Sequence, residues 1–106
     1  MQQVLNFSEI TMQHLPEVGG KNASLGEMIN NISCEDIKVP TGFATTASAY
    51  RQFLEENKLT KKIELCLESL DTDNLTQLKQ ISADIREMIV NATFSSTFID
   101  AVSKEY

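Results

Sequence analysis

The chain has a single histidine, His14, and only two cysteines, Cys34 and Cys66, with no CxxC pair. A zinc site of Cys and His at ordinary ligand spacing is therefore excluded. The two cysteines read as buried free thiols of an intracellular chain, with one disulfide between them as the alternative. Long apolar runs are also missing, none approaching the ~18 residues that a membrane helix needs. The opening Met1-Gln-Gln-Val-Leu-Asn6 has neither the basic start and apolar body of a signal peptide nor the character of a transit peptide. Without such a segment, the Asn-x-Ser/Thr triplets at Asn6, Asn22, Asn31, Asn74 and Asn91 are compositional noise rather than glycosylation sites. Positive charge is scarce, with 9 Lys and Arg against 15 Asp and Glu, for a net charge of −6. A nucleic-acid module normally carries a basic stripe to neutralise phosphates, so that class is excluded. The expectation is a soluble, cytoplasmic protein with no nucleic-acid or membrane partner.

What is present fits one small folded unit. The 106 residues are 42% hydrophobic and 23% charged, enough to bury a core and unlike a disordered segment. All four glycines and both prolines fall between Pro16 and Gly42, and none follows Phe43. Turns that need a positive or fixed φ are therefore concentrated in the first 42 residues, and the rest is free to be almost continuously helical.

Along the chain, Val4 to Phe7 reads as a short strand and His14-Leu-Pro-Glu-Val-Gly-Gly20 as a turn or loop. Asn22 or Ser24 begins a helix with Leu25, Met28, Ile29 and Ile32 on one face. Gly26 within it either admits a close backbone or ligand, or is a tolerated defect costing ~1 kcal/mol relative to Ala. Lys38 to Phe43 is extended because Pro40 biases Val39 toward the β region, and Gly42 to Thr45 is a candidate second strand. Four more helices follow. Thr45 or Thr46 caps the first, running to about Glu56 with Ala47, Tyr50, Phe53 and Leu54 inward. Thr60 caps the next, through Ile63, Cys66, Leu67 and Leu70. Asp73 or Asn74 opens the longest, with the stripe Leu78, Ile81, Ile85, Met88 and Ile89. Ser95 or Ser96 opens the last, with Ile99 and Val102 inward. Its pattern reaches Tyr106 with no Gly, Asn or Pro to end it, so the natural chain is expected to continue.

The chemistry concentrates in Val18-Gly-Gly-Lys-Asn-Ala-Ser-Leu-Gly-Glu-Met28. Two glycines and a lysine at a helix entrance can aim backbone N–H groups and a positive helix end at an anion, with Lys21 adding a mobile ammonium. Neither GxxxxGK[ST] nor GxGxxG is present, and a plain turn with a solvated lysine explains the same residues.

That block, followed by Val39-Pro-Thr-Gly-Phe-Ala-Thr-Thr-Ala47 and Ala49-Tyr-Arg-Gln-Phe-Leu54, resembles the start of the phosphoenolpyruvate synthases, or pyruvate, water dikinases. Ile85 to Asn91, and on to Tyr106, is similar more weakly, so the resemblance spans nearly the whole chain. Pyruvate phosphate dikinase and the rifampin phosphotransferases share the GGK…VPxGF frame. Asn22-Ala-Ser24 and Ala44-Thr-Thr46 lie closer to the synthase pattern.

The resemblance implies that residues 1–106 are the N-terminal portion of an ATP-binding domain, with the remaining domains of the parent enzyme absent. It implies a helix-rich α+β fold, part of an ATP-grasp-like nucleotide-binding domain, with a small sheet near the GGK segment and about five helices. It also implies that Lys21 contacts the nucleotide phosphates, with Gly19 and Gly20 presenting it. The parent would use ATP and Mg²⁺ to phosphorylate a histidine in a separate domain. Passing that phosphoryl group to pyruvate in a further domain gives phosphoenolpyruvate, AMP and phosphate, in the direction of gluconeogenesis. A homo-oligomeric parent is expected.

The chain departs from the family pattern by lacking the arginine-bearing RSSA-type segment, the acidic metal ligands and the phosphohistidine motif. No catalytic residue and no metal ligand is therefore assigned to it, no cofactor is expected to bind it tightly, and the isolated chain is expected to be inactive. His14 reads as an ordinary surface or loop histidine. Residues 1–53 hold only Lys21, Lys38 and Arg51 against Glu9, Glu17, Glu27, Glu35 and Asp36, so most of any triphosphate site must come from elsewhere.

The remaining features have plainer readings. Thr45 and Thr46 either line a pocket or cap a helix, and Arg51 reads as a surface ion-pair residue. Glu55-Glu56 and Lys61-Lys62 look like solvated helix faces, residues 78–89 like core or an inter-subdomain contact rather than a cofactor box, and Asp71 and Asp73 like the flanks of a turn. Two rival readings stand beside the synthase: a stand-alone helical module that binds a protein partner, and the ATP-binding segment of a related phosphotransferase of the pyruvate phosphate dikinase or rifampin phosphotransferase type.

Overall fold

The computed structural model describes residues 2–32 and 41–106. In chain order they form β1 (Val4–Asn6), α1 (Leu15–Asn31), β2 (Phe43–Thr45), α2 (Ala47–Glu56), α3 (Leu59–Glu68), α4 (Leu75–Val90) and α5 (Ser96–Glu105). The expected helix-rich α+β class, five helices with one small sheet, is what these elements form. They divide into two compact units, Met1–Arg51 with Ser96–Tyr106, and Gln52–Ser95. The extended segment expected around Val39-Pro40, and Cys34, lie outside the described residues. Cys66 is a half-buried free thiol.

The first unit is organised by the two strands. They run antiparallel, with Val4 opposite Thr45, Leu5 opposite Ala44 and Asn6 opposite Phe43. Because side chains alternate along a strand, Leu5 and Ala44 face the same side, and both are buried. Phe7 N–H donates to Gly42 O at 2.9 Å and Thr46 N–H to Gln3 O at 3.0 Å, lengthening the ladder at both ends. Thr46 then turns the strand into α2. Its side chain is buried, its hydroxyl donates to Gln2 O at 2.9 Å, and it accepts from Ala49 N–H at 3.1 Å. Of the two readings left open for this threonine, the helix cap is the one realised.

Ile10 is fully buried, and Gly26 is why. A Cβ built on Gly26 would collide with the Ile10 carbonyl oxygen and sit 2.7 Å from both Ile10 Cβ and Cγ2. The glycine inside the helix thus admits another backbone, one of the two readings its position allowed. Side chains of α1 fix the approach. Asn30 Nδ2 donates to Ile10 O at 3.0 Å, and Glu27 Oε1 accepts from Met12 N–H at 2.8 Å. Val18 and Ala23 complete a core with Leu5, Ile10 and Ala44. Helix α5 packs on β1, and Asn6 Nδ2 donates to Glu105 Oε2 at 3.1 Å. The half-buried residues of α5 are Phe98, Ala101, Val102 and Glu105, a spacing of one helix face, whereas Ile99 is 49% exposed. The expectation that Ile99 points inward fails because the docked face lies one residue earlier.

The second unit is a pair of packed helices, α3 and α4, with the end of α2. Asn74 caps α4 by accepting from Gln77 N–H at 3.1 Å, and Asp71 accepts from Asp73 N–H at 3.0 Å within the preceding turn. The expected stripe Leu78, Ile81, Ile85, Met88 and Ile89 is half-buried throughout. Asn57 joins the two ends of the unit, donating to Thr93 O at 2.9 Å and accepting from Thr93 N–H at 3.1 Å. Beside it, the Phe53 and Phe94 rings pack 5.4 Å apart in a tilted arrangement. Helix α3 begins at Leu59 rather than at a Thr60 cap, because Lys58 turns the chain in the left-handed region at φ 58°.

Candidate functional site

The segment singled out by the sequence, Gly19-Gly20-Lys21, does not form the loop expected of it. Pro16 lies in the first turn of α1, where its fixed φ suits a helix and its missing N–H is not needed. Leu15–Val18 is accordingly helical. The chain then breaks at one residue, Gly19, with φ 82° and ψ 166°. That conformation is almost confined to glycine. Gly20 and Lys21 belong to the helix that resumes, so the helix starts earlier than the expected Asn22 or Ser24. The two glycines therefore have different jobs. A Cβ on Gly19 would meet nothing within 4 Å, so backbone conformation alone demands glycine there. At Gly20 a Cβ would make only an ordinary 3.7 Å contact with Leu15 Cδ1.

Both sides of the break are held. Before it, Val18 is buried and Glu17 Oε2 accepts from the Ser48 hydroxyl at 3.0 Å, fastening the first turn of α1 to the start of α2. After it, Ala23 is completely buried and Gly26 is pressed on Ile10. Lys21 lies between these anchors, exposed, and among the described residues no hydrogen bond or ion pair holds its ammonium. An exposed cation in the first turn of a helix, next to a backbone bend, is a physically suitable anion contact.

Other residues fall away from the site. His14 Nδ1 accepts from Thr11 N–H at 3.0 Å while Thr11 Oγ1 accepts from Gln13 N–H at 3.3 Å, so this histidine closes a helical turn. Arg51 is exposed, and so is Tyr50, which was expected to face inward. Among the described residues no group of three or more His, Cys, Asp or Glu side chains is placed to hold a metal ion, so no step through Mg²⁺ is assigned to them. No helix among them is long and apolar enough to cross a membrane. Sequence reasoning missed Asn22, whose Nδ2 donates to Val18 O at 2.9 Å across the break. Its spacing of four from Val18 was the available signal, legible only once Gly19 is known to interrupt the helix.

Residues 15–106 match the family described as pyruvate phosphate dikinase, AMP/ATP-binding domain. The chain belongs to this family. Within the AMP/ATP-binding domain family, it is similar to the phosphoenolpyruvate synthase of Aquifex aeolicus, 44% identical over 103 residues, which cover 97% of this chain and 12% of that protein. The Escherichia coli phosphoenolpyruvate synthase is 42% identical over 103 residues, covering 97% of this chain and 13% of that protein. That of Deinococcus radiodurans is 39% identical over 106 residues, all of this chain and 14% of that protein. The chain thus spans about an eighth of the length of these curated relatives. The family match opens at Leu15, the first residue of α1, and so takes in the whole kinked helix with Gly19, Gly20 and Lys21.

Proposed function

We propose that this chain is the N-terminal segment of the nucleotide-binding domain of a phosphoenolpyruvate synthase, and that Lys21 contacts the phosphates of ATP. The observation that carries this is the exposed Lys21, unpaired among the described residues, set in the first turn after the Gly19 break within a chain that belongs to an AMP/ATP-binding family. Gly19 supplies the bend, Gly20 keeps the helix entrance free of a side chain, and Lys21 brings a compact, mobile charge. On this reading the whole enzyme converts pyruvate, ATP and water to phosphoenolpyruvate, AMP and phosphate through a phosphohistidine. The acceptor site and the phosphorylated histidine lie on other parts of the parent enzyme, which acts in the cytoplasm with Mg²⁺. One lysine cannot by itself neutralise a triphosphate, so the segment alone binds weakly and does not catalyse.

Titration of the chain with millimolar ATP, followed by backbone NMR, tests the reading. Shifts clustered at residues 18–25 and lost in Lys21→Ala are expected. No response in that stretch, or an unchanged response in Lys21→Ala, sinks it.

A further inference from the structure

We infer that Asn22 is the positioning residue for Lys21, a role that rests on the ATP reading above. Gly19 is a joint without a side chain, and a Cβ placed there would touch nothing within 4 Å. Packing therefore does not hold the joint directly. Restraint comes from its flanks. Val18 and the Glu17–Ser48 hydrogen bond fix the turn before it, and Ala23 with the Gly26–Ile10 contact fixes the helix after it. The Asn22 amide crosses from one flank to the other, donating from Nδ2 to Val18 O at 2.9 Å. Asn22 is half-buried and directly follows Lys21, so the bond that ties it back over the break also sets the direction in which the lysine leaves the helix. An amide at this position does two things that an apolar side chain cannot. It gives the Val18 carbonyl a side-chain donor, and it limits how far the resumed helix can swing about Gly19.

A positioning role makes a claim that a purely structural one does not: a different donor at the same place restores ligand binding. Serine in a helix can return its hydroxyl to the carbonyl four residues back. The test uses the 106-residue chain, ATP as probe, and three variants followed by NMR: Asn22→Ala, Asn22→Ser and Lys21→Ala. Losing one neutral hydrogen bond corresponds to about a two- to ten-fold weakening, so Asn22→Ala is expected to weaken ATP binding by that factor. It should also move the Val18 carbonyl carbon resonance while leaving the signals of Leu5, Ile10 and Ala44 in place. Asn22→Ser is expected to recover both the affinity and the Val18 signal. Wild-type affinity in Asn22→Ala overturns the role of Asn22 and leaves that of Lys21 intact. Equal weakening in Asn22→Ala and Asn22→Ser also overturns it, because the donor then does not matter. A wild-type chain that does not respond to ATP at residues 18–25 overturns the Lys21 reading, and this inference with it.

Discussion

In the unit of Met1–Arg51 and Ser96–Tyr106, the apolar side chains Leu5, Ile10, Val18, Ala23, Ala44 and Ala49 are buried; among the described residues of Gln52–Ser95, only Leu59 is. Yet the second unit is rich in leucine and isoleucine. Leu65, Leu67, Leu75 and Val90 are between 50% and 80% exposed there. The contrast is not one of hydrophobicity but of how closely backbones approach. Where Gly26 removes a side chain, Ile10 reaches the helix itself and loses all contact with solvent. Where every helical position carries a side chain, facing helices stay apart, and a stripe such as Leu78 to Ile89 is covered only in part. The second unit also lacks glycine where its backbone would use one. Lys58 holds φ 58° at the end of α2, a turn that glycine makes without strain.

The sharpest way to break this contrast is Gly26→Ala. The new methyl group would meet the Ile10 backbone, which cannot rotate away, so we expect a loss of about 3 kcal/mol or more. Urea unfolding reads the total, and hydrogen exchange should localise the loss to Ile10, Ala23 and the strands rather than to α3 and α4. Next in size is Gly19→Ala, expected to cost about 1–3 kcal/mol from backbone strain alone. Gly20→Ala serves as its control and should be neutral or slightly stabilising, since that glycine is helical and its added methyl group finds room. A Gly19→Ala variant as stable as Gly20→Ala would refute the single-residue break. The smallest effect runs the other way. Lys58→Gly should stabilise the second unit by roughly 0.5–1 kcal/mol, seen as a higher urea midpoint, because it relieves a left-handed lysine. A lower midpoint would show that the lysine side chain contributes more than its backbone strain costs.

Most of the architecture was legible because local signals agreed with it. The strands at Val4 and Phe43, the caps at Thr46 and Asn74, and the stripe of α4 all follow from short-range preference and periodicity. Errors arose where two residues competed for one role. Paired glycines read as a loop, but one glycine suffices to bend the chain and the other continues the helix, a choice set by the burial of Val18 and Ala23 on either side. Thr60 is a better cap than Lys58 by preference, yet the turn leaving α2 placed the helix start one residue before it. Tyr50 and Ile99 lie on faces that the helical period allows but the partners do not cover. For the candidate site, the residues proposed to meet the nucleotide, Lys21 with Gly19 and Gly20, are the ones the sequence singles out. The bracing by Asn22, Glu17 and Ser48 was not, since it depends on where the helix breaks and on a contact between residues 31 positions apart.

The return of α5 to β1 bears on the order in which the chain can be completed as it is made. The bond from Asn6 to Glu105 joins residues 99 positions apart, so β1 meets α5 only once that helix has emerged. Every contact of the Gln52–Ser95 unit described above is internal to a continuous stretch already synthesised by then. Chain growth therefore lets the sparsely packed unit close first, while the unit that holds Lys21 waits on α5.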